Sequence, residues 1–264
     1  MKLDLRISPC PNDTFMFGAM VNGLIDTEGL EFDLSFADIE ELNKGVICGV
    51  PAVSKISCAV LPLISDRYAV LDAGSALGRG NGPLFVSMGG LDLSDASLRI
   101  AVPGEHTTAN MLMARIFPHL TNKSPVLFSD IAPAVAAGRY DAGVLIHEGR
   151  FTYAEKGLCL EADLGVEWNR LTGLPLPLGA IVVSRSLPDD VQHKVERVLR
   201  KSIEYAFANP DEGMDFIRSH AQELSPEVLE KHIYMFVNDY SVSLGVEGRA
   251  AIRSLTGLDD KIFV

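Results

Sequence analysis

Strand-like and helix-like segments alternate along most of this chain, and two stretches rich in glycine or proline interrupt the alternation. Such a pattern defines an α/β protein with mostly parallel sheets, because a parallel neighbour needs a crossover that a helix supplies. Lys2 to Ile7 alternates apolar and polar side chains as a short strand does, and Leu30 to Phe36 and Ala52 to Ile56 read as further strands. Helical spacing runs from Ile39 to Cys48 and from Ser57 to Ser65, and Tyr68 to Leu71 is extended. Gly74 to Pro83 is then too rich in glycine for regular structure and reads as a loop or hinge. Leu84 to Met88 follows as a crossing strand. A second series begins with a strand over Leu98 to Val102, a helix starting at Thr107 or Thr108, a strand over Val126 to Phe128, a helix over about Ile131 to Ala137 and a buried strand over Ala142 to Ile146. Leu174 to Gly179 is the second interruption, and Ala180 to Val183 reads as the return crossing. From Pro188 onward the pattern is helical, over Val191 to Ala208 and near Asp211 to His220, Pro226 to Asn238 and Val246 to Leu255. One series interrupted by another and then resumed predicts two lobes joined by a double hinge, with a cleft between them. The first lobe comprises 1–85 and 180–264 and the second 86–179.

At 264 residues the chain has room for two lobes, each with its own core. Its 47% hydrophobic and 22% charged residues are those of a globular protein. A formal net charge of −12 argues against a nucleic-acid surface or an anionic membrane as partner. A small anionic carboxylate remains admissible, given local help from helix N-termini and a few basic side chains. Met1 to Arg6 shows no apolar run of the signal-peptide kind, so the expected location is the cytoplasm, as a monomer or homodimer. Cys10, Cys48, Cys58 and Cys159 are scattered, without metal-ligand spacing, and read as buried thiols. Cys10 is the exception, because it precedes a helix start that can lower its pKa.

The candidate site begins at Ser8-Pro9-Cys10-Pro11-Asn12-Asp13-Thr14, a loop at the carboxyl end of a strand, where open α/β sheets bind ligands. Asn12, Asp13 or Thr14 can cap the helix that continues through Phe15 to Met20, and the loop leaves backbone N–H groups for a ligand. A capped turn with no ligand explains the same residues. Pro103-Gly104-Glu105-His106-Thr107-Thr108-Ala109 repeats the arrangement in the second lobe, with His106 either lining the cleft or exposed. Two such starts facing one cleft can grip a two-ended ligand. Ser54, Lys55 and Ser57 add hydroxyls and an ammonium near the rim, although a surface lysine is the plainer reading of Lys55. Arg79 lies in the glycine-rich hinge and can meet an anionic group. His147 follows the strand-like Gly143 to Ile146, with Glu148 and Arg150 beside it; its unperturbed pKa suits a general base near neutral pH, and a polar loop histidine at a strand end explains the same position. His119, His193, His220 and His232 lie in helical stretches or at their ends without a matched partner and read as structural or surface residues. No phosphate-binding loop, serine triad or metal motif is present in the sequence.

Ser8 to Phe15, Ala76 to Pro83, His147 to Tyr153 and Leu174 to Gly179, in this order, resemble the 1,4-dihydroxy-6-naphthoate synthases of the futalosine route to menaquinone. The resemblance implies a fold like the type II periplasmic binding proteins, and a lyase that cleaves cyclic dehypoxanthine futalosine without redox cofactor or metal. It implies that His147 is the base, that Thr108 and Ala109 bind the ligand at a helix start, and that Ser57 lines the pocket. Chorismate dehydratase of the same route and a non-catalytic solute-binding protein are the competing readings, since fold alone does not fix function.

Overall fold

The structure, a computed structural model, describes residues 1–147, 149–221 and 225–264. In chain order its elements are β1 (Lys2–Ile7), α1 (Pro11–Val21), β2 (Glu31–Phe36), α2 (Ile39–Ile47), β3 (Val53–Ser57), α3 (Leu61–Ile64), β4 (Tyr68–Val70), β5 (Ala76–Gly78), β6 (Leu84–Ser87), β7 (Ile100–Val102), α4 (Thr108–Ile116), β8 (Lys123–Pro125), α5 (Phe128–Ala136), β9 (Ala142–Leu145), α6 (Gly149–Thr152), β10 (Cys159–Asp163), α7 (Leu164–Thr172) and β11 (Leu176–Ser184). The helical remainder is α8 (Asp189–Ala208), α9 (Met214–His220), α10 (Pro226–Phe236), α11 (Asp239–Val242) and α12 (Gly245–Thr256). The chain divides into two compact units, Met1–Leu77 with Pro177–Val264, and Gly78–Leu176. The sequence reading puts these divisions at 85/86 and 179/180.

The first unit is built on a sheet of order β2-β1-β3-β11-β4, with β5 also paired to β11. The β1 strand is parallel to β2 and β3, whereas β11 runs antiparallel to β3 and β4. In the second unit the order is β10-β6-β9-β7-β8; β7 is parallel to β8 and β9, and β6 is antiparallel to β9 and β10. Both sheets are therefore mixed rather than mostly parallel. The reversals involve β6 and β11, where the chain enters a sheet from the other unit and no crossover helix imposes a parallel direction.

The first unit's core joins the sheet to α1 and the long α8. Pro11 to Met20 are all buried, a helix apolar on nearly every side, as a core helix must be. The Ser202 hydroxyl from α8 donates to the Met16 carbonyl at 2.7 Å and accepts from the Met20 amide at 3.1 Å, holding the two helices in register. Leu3, Leu5, Ile7, Phe17, Ile181, Val198 and Leu199 complete that core. At about 25 cal/mol per Å² of apolar surface, each such side chain stabilises the fold by roughly 1.5–3 kcal/mol. The second unit's smaller core joins Leu84, Val86 and Leu145 of the sheet to Ile131 and Val135 of α5.

Several expectations need correction. The strand expected over Val126 to Phe128 lies at Lys123–Pro125, and α5 already begins at Phe128. Pro125 is tolerated because β8 is an edge strand, where no outward amide is needed. Part of the glycine-rich stretch expected to be loop forms β5, and β11 takes in Leu176 to Gly179 of the second interruption. The cysteines are not uniformly buried: Cys58 is, but Cys48 and Cys159 are exposed and Cys10 is half-buried.

Candidate functional site

The first helix start differs from its sequence-based reading. Pro11 occupies the first helical position, where its missing N–H costs nothing, so Cys10 becomes the N-cap residue and none of Asn12, Asp13 and Thr14 caps the helix. The Cys10 side chain makes no capping hydrogen bond. Asp13 turns back toward the preceding loop, and its carboxylate accepts from the Ser8 hydroxyl at 2.6 Å and the Ser8 amide at 3.1 Å. Its other oxygen receives the Lys55 ammonium at 2.6 Å. Lys55, only 7% exposed, is therefore no surface lysine. A buried charge of either sign is tolerated only when paired and hydrogen-bonded, and Asp13 and Lys55 meet that condition for each other.

The other candidate residues of the first unit are likewise fixed. The Thr14 hydroxyl donates to the Cys10 and Pro11 carbonyls at 3.2 and 3.3 Å, and Ser54 donates to the Lys55 carbonyl at 2.9 Å. Ser57 lies at the end of β3, where its amide donates to Asn43 Oδ1 at 2.8 Å and its hydroxyl accepts from Asn43 Nδ2 at 3.1 Å. Asn12 differs from these: it is 6% exposed, and its side-chain oxygen has no hydrogen-bond partner among the described residues. A buried acceptor left in that state is uncommon and marks a place where a donor belongs.

In the second unit, Thr107 is the N-cap of α4, and its hydroxyl accepts from the Asn110 amide at 3.3 Å while donating to the Gly104 carbonyl at 3.0 Å. This settles the helix start at Thr108. The first helical hydrogen bond runs from the Met111 amide to the Thr107 carbonyl, so the Thr108 and Ala109 amides lie ahead of the ladder, at the positive end of the helix dipole. Both residues are buried. Arg79 is exposed and directly follows β5.

His147 lies two residues beyond β9, half-buried, with a backbone φ of +54° that side-chain-bearing residues rarely adopt. Such strain persists only where the surroundings fix it. Gly143 allows α5 to lie directly on β9, since a Cβ there would sit 2.5 Å from Ile131. The same helix presents Phe128, whose ring meets the His147 imidazole edge to face at a centroid distance of 4.9 Å. Just beyond, Arg150 donates to Asp163 at 2.6 Å and to the Gly82 carbonyl. Asp163 in turn caps α7 by accepting from the Gly165 and Val166 amides. Glu148, singled out in the sequence, lies outside the described residues.

Sequence reasoning missed one partner of this site. His232, on α10 and only 1% exposed, places Nε2 3.4 Å from Cys10 Sγ. It therefore has a matched partner, and 222 positions of chain hide it from any reading by spacing.

Two α/β units, each on a mixed sheet, with the chain passing out of the first and back, define a protein of the periplasmic-binding-protein fold class. A Candida albicans gene product described as having the generic periplasmic binding protein fold matches with a TM-score of 0.70, at 14% identity over 99% of this chain and 93% of its own. The family model described as "Menaquinone biosynthesis" matches residues 3–259, and the chain belongs to that family. Among curated proteins it is 43% identical to the 1,4-dihydroxy-6-naphthoate synthase of Thermus thermophilus, over 96% of this chain and 92% of that one. It is 41% identical to the synthase of the same name from Streptomyces coelicolor, over 96% and 91%. The resemblance read from the motifs thus agrees with whole-chain comparison. Among the described residues, no helix is long and apolar enough to cross a membrane.

Proposed function

We propose that this enzyme of menaquinone biosynthesis is a carbon–carbon lyase that converts cyclic dehypoxanthine futalosine to 1,4-dihydroxy-6-naphthoate, with His147 as the general base. The observation that carries the reading is the strained strand-end backbone of His147, with its ring held against Phe128. Holding a base in one orientation is what proton abstraction requires, and strain concentrated at a functional residue is its common signature. Near neutral pH a neutral imidazole takes a proton from carbon. Carbon–carbon cleavage follows, and the aromatic naphthalene ring that forms makes the step favourable. The names of the curated relatives support the product.

The Thr108 and Ala109 amides, at the start of a nine-residue helix capped by Thr107, are proposed to hold the anionic carboxylate and to stabilise developing oxygen charge. Asn12, with its unpartnered buried oxygen, is proposed to accept from a substrate hydroxyl or N–H. Asp13 and Lys55 contribute as a neutral pair, and with Thr14, Ser54 and Ser57 they shape the wall of the substrate site. Arg79 supplies positive charge at its rim. The proposed location is the cytoplasm.

Incubating purified protein with cyclic dehypoxanthine futalosine and detecting the naphthoate tests the reaction directly. Chorismate dehydratase activity, or ligand capture without turnover, would replace this reading. His147→Asn is expected to lower kcat by about 10²–10⁴-fold with the fold retained. Unchanged kcat in that variant would remove His147 from its role.

A further inference from the structure

We propose that Cys10 is a reactive thiol, activated by His232 and by the start of α1, and that it is where this protein takes up small soft electrophiles. The proposed reaction needs no covalent intermediate and makes no use of this thiol. Cys10 Sγ lies 3.4 Å from His232 Nε2. Burial of His232 on α10 holds that imidazole in place, with Phe236 one turn further along the same helix at a ring distance of 6.4 Å. An imidazole at this distance can take the thiol proton, and the thiolate is the nucleophilic form of cysteine. Cys10 is also the N-cap residue of an eleven-residue helix, whose dipole favours an anion there. The carboxylate in that first turn, Asp13, would oppose a second negative charge, but Lys55 lies on it at 2.6 Å.

A separate observation points to a ligand at this helix start. Asn12, in the same turn, keeps a buried oxygen without a hydrogen-bond partner among the described residues, an acceptor suited to the N–H of a carboxamide-bearing electrophile. Cys10 is half-buried and thus reachable. The other cysteines provide the contrast. Burial pushes the Cys58 thiol up to about 12, leaving it protonated, while Cys48 and Cys159 are exposed and would react first if access alone decided. With iodoacetamide, the Cys10 sulfur attacks the methylene carbon, the S–C bond forms as the C–I bond breaks, and iodide leaves. The thiol proton stays on His232 and then passes to solvent.

The test treats the native full-length protein with limiting iodoacetamide at pH 7 and locates the label by peptide mass spectrometry. Cys10 is expected to react about tenfold faster than Cys48 and Cys159, an advantage set by its larger thiolate fraction less its reduced intrinsic nucleophilicity. In urea the rates are expected to converge. His232→Gln, which retains a polar side chain but no base, is expected to bring the native Cys10 rate down to that of Cys159. Earlier labelling of Cys48 or Cys159 in the native protein overturns the proposal without recourse to any variant. An advantage that survives in urea, or an unchanged Cys10 rate in folded His232→Gln protein, overturns it as well.

Discussion

The starts of α1 and α4 are written in similar residues yet solved by different physics. Thr107 closes its helix as an ordinary cap, with one hydroxyl serving both the Asn110 amide and the Gly104 carbonyl, and no charge is involved. At α1, proline takes the first position, the cap residue is a cysteine whose side chain caps nothing, and the acidic residue of the first turn reaches back to Ser8 and across to Lys55. The Thr107 cap of α4 is local and neutral. The α1 start depends on β3 for its countercharge and on α10 for the partner of its cysteine, so it is locked to the rest of its unit by polar groups. A helix terminus can thus be stabilised locally, or it can be made a junction where distant elements must agree.

The largest effect expected from this contrast comes from Asp13→Ala. It strands the Lys55 ammonium in a site with little water, and removing one member of a buried pair costs about 3–5 kcal/mol. The loss should appear as a lower urea midpoint. The double replacement Asp13→Asn with Lys55→Met, which removes both charges, nearly keeps the volume and leaves an oxygen for Ser8, should recover most of it. If the single variant lost no more than an exposed ion pair does, the α1 junction would be energetically equivalent to the α4 cap.

The contrast also marks where sequence reading succeeds. The strand-end position of His147 was legible because a buried apolar run ends there, and the alternation of elements was legible because each pattern is local. The cap residue of α1 was misread because hydroxyl and carboxylate side chains signal a cap by type, while Pro11 fixes the start by geometry. β10 and α7 drew no reading, although Asp163 at the cap and Gly173 in the left-handed conformation at the end are ordinary helix boundaries. Ahead of that helix, β10 is an edge strand with an irregular register near Leu160, so its alternation is broken. The pairs Asp13–Lys55, Cys10–His232 and Arg150–Asp163 are products of folding, and no spacing rule reaches them.

A middle-sized effect is expected at the second helix start. Thr107→Ala leaves the Asn110 amide without its acceptor and should cost about 1 kcal/mol, the usual loss for a cap. Because the cap bonds are local and a serine hydroxyl can make both, Thr107→Ser should restore nearly all of it. The same urea titration reads both variants. A loss near that of Asp13→Ala would mean that this terminus, too, is tied to distant elements.

The smallest effect is expected from Cys10→Ser, at the same cap position of the other helix. The thiol makes no capping bond, so there is none to lose, and its 3.4 Å contact with His232 is at most a weak sulfur hydrogen bond. Stability should change by no more than about 0.5 kcal/mol in either direction. Set beside Thr107→Ala, this gives two cap positions with opposite consequences: one whose side chain holds the helix, and one whose side chain is left for chemistry. A loss of about 1 kcal/mol or more in folded Cys10→Ser protein would show that the thiol is structural, and the distinction between the two helix starts would narrow to their charges.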